Sequence, residues 1–231
     1  MRFEQKLGAG VLVRRYKRFL ADVERDDGTV VTVHCPNSGS MLGCNIPGSP
    51  VRFSRSNNPN RKYAHTLEMV QVGGVWVGIN TSLTNKLVRE AIEQGGISEF
   101  GKVDEIKSEV KVSDRSRLDL LLSIKEKSIY IEVKNCTLAA EGVAMFPDAV
   151  TTRGAKHLRE LLELKQKGQG AVIFFCVQRM DADRFVPASH IDPVYGKILK
   201  EVCGQGVMPL AYQWDVQPHV IELSRQLPVY L

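Results

Sequence analysis

Residues Arg117 to Lys134 read RLDLLLSIKEKSIYIEVK. Two apolar runs flank a polar turn, Lys125–Ser128, which predicts two antiparallel strands. Side chains alternate along a strand, so Glu132 and Lys134 share a face with Tyr130, while Ile129, Ile131 and Val133 point the other way. With Glu126-Lys127 at the turn centre, Asp119 falls opposite Lys134 and diagonal to Glu132. Diagonal neighbours lie ~7–8 Å apart, a gap that two carboxylate arms can close on a shared ion. One register therefore gathers two carboxylates and one ammonium on a mainly apolar sheet.

That grouping suits a metal-assisted reaction at phosphorus. Hard oxygen ligands favour Mg²⁺, which takes one or two carboxylates and keeps several waters, and Mn²⁺ is the alternative ion. Asp119 and Glu132 are the expected ligands, with the Val133 carbonyl as a further oxygen. Lys134 is expected to position the attacking water and to stabilise charge developing on a phosphate. An exposed ion pair between Asp119 and Lys134 satisfies the same pattern.

Upstream, Leu83, Leu87, Val88, Ala91 and Ile92 form an apolar stripe, which predicts a helix over Thr84–Gln94. Thr84 is the expected N-cap, and Gly95-Gly96 ends the helix. Glu90 lies beyond the edge of the stripe, either as a third metal ligand or in a solvated i,i+4 pair with Lys86. Three strands follow at Ile106–Val112, Arg117–Ile124 and Ser128–Lys134. A second amphipathic helix spans Thr151–Lys167. On it Arg153, Lys156 and His157 are expected to share a face away from Leu158, Leu161 and Leu162, as a phosphate clamp or as a solvated charged face. Ala171–Val177 is wholly apolar, the mark of a central strand in a parallel sheet. A helix over Asp192–Cys203 and a strand over Val207–Tyr212 complete the chain. This αβββαβ order is that of the restriction-endonuclease-like fold.

The first part of the chain differs. Residues 1–80 hold 11 Lys/Arg and 6 Asp/Glu, whereas residues 81–231 hold 20 of each. The whole excess of +5 thus sits in the first third, as expected of a module that meets a polyanion. Short strands alternate there with turn signals: Gly10–Phe19, Phe19–Glu24, Thr29–His34, and a hairpin of Leu67–Val72 with Val75–Asn80. An OB-like barrel over residues 1–82 is expected, followed by the nuclease-like α/β domain over residues 83–231. Arg14, Arg15, Lys17 and Arg18 interleave with Tyr16 and Phe19, and Arg55, Arg61 and Lys62 form a second cluster beside Tyr63. Cations along phosphates and rings on bases are the ingredients of an OB-type nucleic-acid groove. Alternation divides the first run between two faces, so not all its cations can meet one ligand. The five cysteines are odd in number and form no CxxC pair, which argues for reduced thiols rather than a disulfide framework or zinc ribbon. No run approaches the ~18 apolar residues of a membrane span. The start has no signal-peptide core, so a cytoplasmic protein is expected.

Several blocks in order carry a family likeness. They are Leu20-Ala21-Asp22-Val23, the run from His34 to Met41 (HCPNSGSM), Arg61-Lys62-Tyr63, Ser108-Glu109-Val110-Lys111, Arg117-Leu118-Asp119, Tyr130 to Asn135 (YIEVKN), Phe146 to Thr151 (FPDAVT) and Arg153 to Leu158 (RGAKHL). Together they resemble the sugar fermentation stimulation protein A family of prokaryotes across nearly the whole chain. The resemblance implies an N-terminal OB-like domain and a C-terminal domain of the PD-(D/E)xK nuclease type. It also implies DNA binding with little sequence preference and a role in regulating sugar, particularly maltose, metabolism. Nuclease activity is left open by the family, but Asp119, Glu132 and Lys134 match the nuclease motif. No sugar-binding signature is visible. Nuclease folds often dimerise, so a homodimer is left open with no interface legible.

Overall fold

The computed structural model describes residues 1–113 and 116–231. Strands β1 (Gly8–Tyr16), β2 (Leu20–Glu24), β3 (Val30–His34), β4 (Pro50–Arg55), β5 (His65–Val72) and β6 (Val75–Gly78) form the first unit. Their order is β3-β2-β1-β4-β5-β6, and a parallel pairing of β3 with β5 at His34 and Thr66 closes five of them into a ring. This is the OB barrel. Alternation drives it: Leu12 is buried between exposed Val11 and Val13, and the inward set includes Val23, Val33, Val51 and Leu67. A strand running on to Phe19 was expected, but β1 ends at Tyr16. Tyr16 pairs with Leu20, and the turn between them places Lys17 and Arg18 at φ 47° and 64°. Tight hairpins select positive φ because its twist matches that of the paired strands.

The second unit runs α1 (Thr84–Glu93), β7 (Glu105–Ser113), β8 (Ser116–Ile124), β9 (Lys127–Cys136), β10 (Leu138–Ala140), β11 (Val143–Phe146), α2 (Thr152–Gln166), β12 (Gly170–Val177), β13 (Arg184–Pro187), α3 (Pro193–Gly204), β14 (Met208–Gln217) and β15 (Val220–Leu227). The main sheet has the order β15-β14-β12-β9-β8-β7. A β7-β8-β9 meander is followed by a crossover through α2 to parallel β12, and by a second crossover through α3 to parallel β14. This is the restriction-endonuclease-like arrangement.

Both faces of the sheet are covered, which explains why β12 is apolar throughout. One side packs Leu87, Val88, Ala91 and Ile92 of α1 against Ile131, Phe174 and Trp214. The other packs Leu158 and Leu161 of α2 and Ile198 and Leu199 of α3 against Ile173 and Phe175. The Thr151 side chain caps α2 by accepting from Gly154 N, and Asp192 caps α3 by accepting from Tyr195 N. Thr84 does not cap α1 as expected. A 3-10 turn over Thr81–Leu83, capped by Asn80, leads into the helix and leaves Thr84 buried in its first turn.

Five strands were not anticipated, beginning with β4, which lies between two turn-rich loops. β10, β11 and β13 make a small separate sheet and are too short for a period of two to show. β15 lies on the sheet edge, where much of its polar surface meets solvent. The chain start also crosses between the units. The Met1 ammonium donates to Ile221 O at 2.8 Å, and Arg2 bridges to Val220 beside β15.

Candidate metal centre and its cleft

The floor of the site is the junction of β8 and β9. These strands pair from Ile124↔Lys127 to Leu120↔Ile131 and then part. The turn is thus centred on Lys125-Glu126, one residue earlier than expected, and Asp119 lies across from Glu132 rather than Lys134. Where the ladder stops, the Asp119 carboxylate takes over: its Oδ2 accepts from Val133 N at 2.7 Å. On the other flank, Glu109 of β7 adopts φ 54° between the pairs Ser108↔Leu120 and Val110↔Leu118. A left-handed non-glycine residue in a strand is a local kink of the kind that re-aims a side chain near a functional site.

Glu132 is the most constrained group. Its Oε1 is shared by Lys134 Nζ at 2.5 Å and by His157 Nδ1, reaching across from α2. Its Oε2 is buried and has no hydrogen-bond partner among the described residues. Burial alone would raise the Glu132 pKa, but Lys134 and His157 outweigh it and hold the carboxylate below its usual value. Asp119 is the opposite case. Burial, and then the neighbouring Glu132 charge, push it up to about 6 despite donors from Val133 N and Asn85 Nδ2. A buried carboxylate oxygen with no partner among the described residues, beside a second destabilised carboxylate, is a donor set that fits a hard divalent ion. Among the described residues no three His, Cys, Asp or Glu side chains converge as a ligand set. Two carboxylates are what Mg²⁺ commonly takes while keeping its waters.

These groups open into a cleft of about 420 Å³ between the two units. The barrel supplies the Asn37-Ser38-Gly39 loop, and the start of α2 supplies Thr151, Arg153 and Gly154. Two clamps hold the walls. Asp148 accepts from Met41 N at 2.8 Å, and its carbonyl accepts from Ser40 Oγ. On the other side Gly78 N donates to Gln178 O at 2.9 Å, and Asn135 Nδ2 reaches Gly78 O.

The structure distributes the remaining expected site residues widely. Glu90 faces away from the cleft, 3.3 Å from the Met1 ammonium and 3.8 Å from Lys86. Asn85, earlier on the same helix, is the α1 residue bonded to Asp119. His157 is buried with its Nδ1 on Glu132, while its Nε2 accepts from Arg153 Nε at 3.5 Å, so it keeps exposed Arg153 and Lys156 as groove neighbours. The helix turns its face further inward there than the leucine stripe indicated. Arg153 and Lys156 line an adjoining groove of about 660 Å³ with Lys111 and Arg117. On the barrel, Arg14 pairs with Asp22 at 2.9 Å, and Arg15 donates to the carbonyls of Asn37, Gly39 and Ser40. Arg15 thereby shapes the cleft wall. Lys17, Arg18, Arg55, Arg61 and Lys62 are exposed.

Sequence reasoning missed Asn85, Glu109, Asp148 and the Asn37–Gly39 wall as parts of the site. All but Asn85 fall inside the blocks that carry the family likeness, which was the available signal. Family comparison now decides the lineage. The family model described as the sugar fermentation stimulation protein RE domain matches residues 82–220, and the SfsA N-terminal OB domain matches residues 13–79. The chain belongs to the sugar fermentation stimulation protein family. A homolog from Desulfotalea psychrophila is 53% identical over 100% of this chain and 95% of its own length. One from Citrifermentans bemidjiense is 53% identical over 100% of both. The solved structure of Pyrococcus furiosus SfsA in complex with Ca²⁺ matches with a TM-score of 0.92 at 27% identity, covering 100% of this chain and 98% of that one. Among the described residues of this family member, no helix is long and apolar enough to cross a membrane.

Proposed function

We propose that this protein binds DNA and hydrolyses its phosphodiester bonds with a divalent metal held by Asp119 and Glu132. The observation that carries this reading is the buried Glu132 Oε2 without a partner, beside Asp119. The Ca²⁺ of the Pyrococcus relative supports a hard cation, and Mg²⁺ or Mn²⁺ is the working ion proposed. When bound, such an ion polarises a phosphate oxygen and makes a coordinated water acidic enough to attack. The chain supplies the rest. Lys134 stabilises charge on the reacting phosphate, His157 fixes the Glu132 rotamer, and Val133 N and Asn85 fix that of Asp119. Arg153 and Lys156, with the exposed cations of the barrel, hold backbone phosphates. DNA binding through phosphates would carry little sequence preference, because such contacts position a duplex without reading it. A role in sugar metabolism would follow from DNA engagement.

The test is incubation of labelled single- and double-stranded DNA with the protein in EDTA or in Mn²⁺, beside Asp119→Ala/Glu132→Ala. Cleavage that needs both metal and carboxylates is expected. Metal-independent binding with no cleavage of either substrate would overturn the nuclease reading and leave a DNA-binding scaffold.

A further inference from the structure

The barrel has an exposed ring where the proposed function needs none. Three segments meet at one end of it: the turn between β1 and β2, the end of β3, and the loop between β4 and β5. His34 pairs with Leu20 on one side and Thr66 on the other, which brings the three together. Phe19 is 43% exposed. It lies stacked on His34, with ring centroids 6.5 Å apart and planes 23° from parallel. The His34 Nδ1 atom is buried without a partner among the described residues. Burial, and then the charge of nearby Arg61, lower the His34 pKa, which favours a neutral ring at physiological pH. The turn that presents Phe19 holds Lys17 and Arg18 in the left-handed region, as a tight hairpin favours. The turn places two cations and a ring in solvent.

We propose that Phe19, backed by His34, is a stacking platform for an unpaired base, and that the barrel takes single-stranded nucleic acid. Lys17 and Arg18 share the turn with the ring, Arg61 lies near His34, and Lys62 follows Arg61 in the same loop; together they supply the charge complement to a phosphate backbone. A duplex offers no free base face along its length, because each base is already stacked within the helix. Only an unpaired strand can use an aromatic platform. The platform is also close to the cleft. Asn37 on the cleft rim lies three positions after His34, a reach of at most about 11 Å. A strand stacked on Phe19 is therefore delivered toward Asp119 and Glu132. That delivery rests on the function proposed above, whereas the stacking does not.

The test uses the full chain in EDTA, so that cleavage plays no part. A labelled oligothymidylate, an abasic deoxyribose-phosphate strand of equal length and a hairpin duplex are titrated by anisotropy. The oligothymidylate is expected to bind roughly 5- to 150-fold tighter than the abasic strand, the range for one stacked base. Phe19→Ala is expected to remove that preference and leave abasic binding unchanged. Phe19→Trp is expected to keep it, with indole fluorescence quenched by the oligothymidylate alone. Arg61→Ala/Lys62→Ala should weaken both strands equally and flatten the salt dependence. Equal binding of thymidylate and abasic strands by the parent protein, a preference that survives Phe19→Ala, or tighter binding of the duplex would each overturn the proposal. Loss of the nuclease reading, seen only with metal present, would leave every one of these results intact.

Discussion

Asp119→Asn should make the metal-free protein more stable and the metal-loaded protein less so. In the folded chain, burial and Glu132 raise the Asp119 carboxyl from its ordinary 3.8 to about 6. Ionising it at pH 8 therefore costs about 3 kcal/mol relative to the unfolded chain, at 1.36 kcal/mol per pH unit. Water in the cleft screens part of this. The amide needs new partners as well. Its oxygen can keep the Val133 N–H, and the Asn85 amide can rotate to present its own oxygen to the new NH₂. That exchange costs at most about 1 kcal/mol. A net gain of about 1–2 kcal/mol remains, or roughly 2–4 °C in Tm per kcal/mol for a chain of this size.

The pH profile identifies the cause. The folded carboxyl binds its proton more tightly than the unfolded one. The stabilising contribution of that proton is therefore complete below about pH 4 and lost as the pH rises through about 6. The advantage of Asn over Asp should be near zero at pH 4, grow between the two values and stay level above them. In Mn²⁺ the order should reverse, because binding at 100-fold the Kd stabilises the parent by about 2.7 kcal/mol. Urea unfolding in EDTA from pH 4 to 8, repeated in Mn²⁺, measures all of this. A variant that is less stable in EDTA at pH 8, or whose difference does not change with pH, refutes the argument.

Lys134→Ala should abolish cleavage while Mn²⁺ binding, followed by calorimetry, persists within about tenfold, because both carboxylates remain. Gly78→Ala should destabilise by about 1–3 kcal/mol in urea unfolding. Its Cβ would overlap Gln178 Oε1, which the Asn135 and Thr84 contacts hold in place. Asp22 is held below its usual value: burial would raise it, but Arg14, Thr32 and Tyr16 together outweigh burial. Its contribution is therefore present above about 3.8 and lost as the pH falls through the lower folded value. Asp22→Asn should accordingly flatten the acid limb of an unfolding profile followed by circular dichroism. DNA affinity should fall steeply with salt, with log Kd linear in log salt in an anisotropy titration.

How much of this was legible depended on whether a feature is periodic. The stretch Arg117–Lys134 announced two strands and a shared polar face because alternation is a property of the chain alone. The apolar run Ala171–Val177 announced a strand covered on both sides. The register was another matter. A turn of a few polar residues does not reveal which two sit at its centre, and one step moved the partner of Asp119 from Lys134 to Glu132. The site is also assembled where regularity fails. Asp119 uses its carboxylate to complete a ladder that its backbone abandons, and Glu109 turns left-handed beside it. Neither leaves a mark in a hydrophobic pattern.

Helical residues show the same limit from the other side. The stripe on α2 fixed its inward face only to within a turn, so His157 read as exposed, whereas it is buried and still accepts from Arg153. Glu132, on a different element, draws it inside. Glu90 and Asn85 lie on one helix and differ in which neighbour claims them. The Met1 ammonium takes Glu90, and the gap left by the parting strands brings Asn85 to Asp119. The sequence left Glu90 as either a metal ligand or the i,i+4 partner of Lys86, and the pair with Lys86 is what the packing of α1 on the sheet forms. The roles at this centre follow from contacts between α1, β8, β9 and α2, four elements whose mutual placement no local pattern contains.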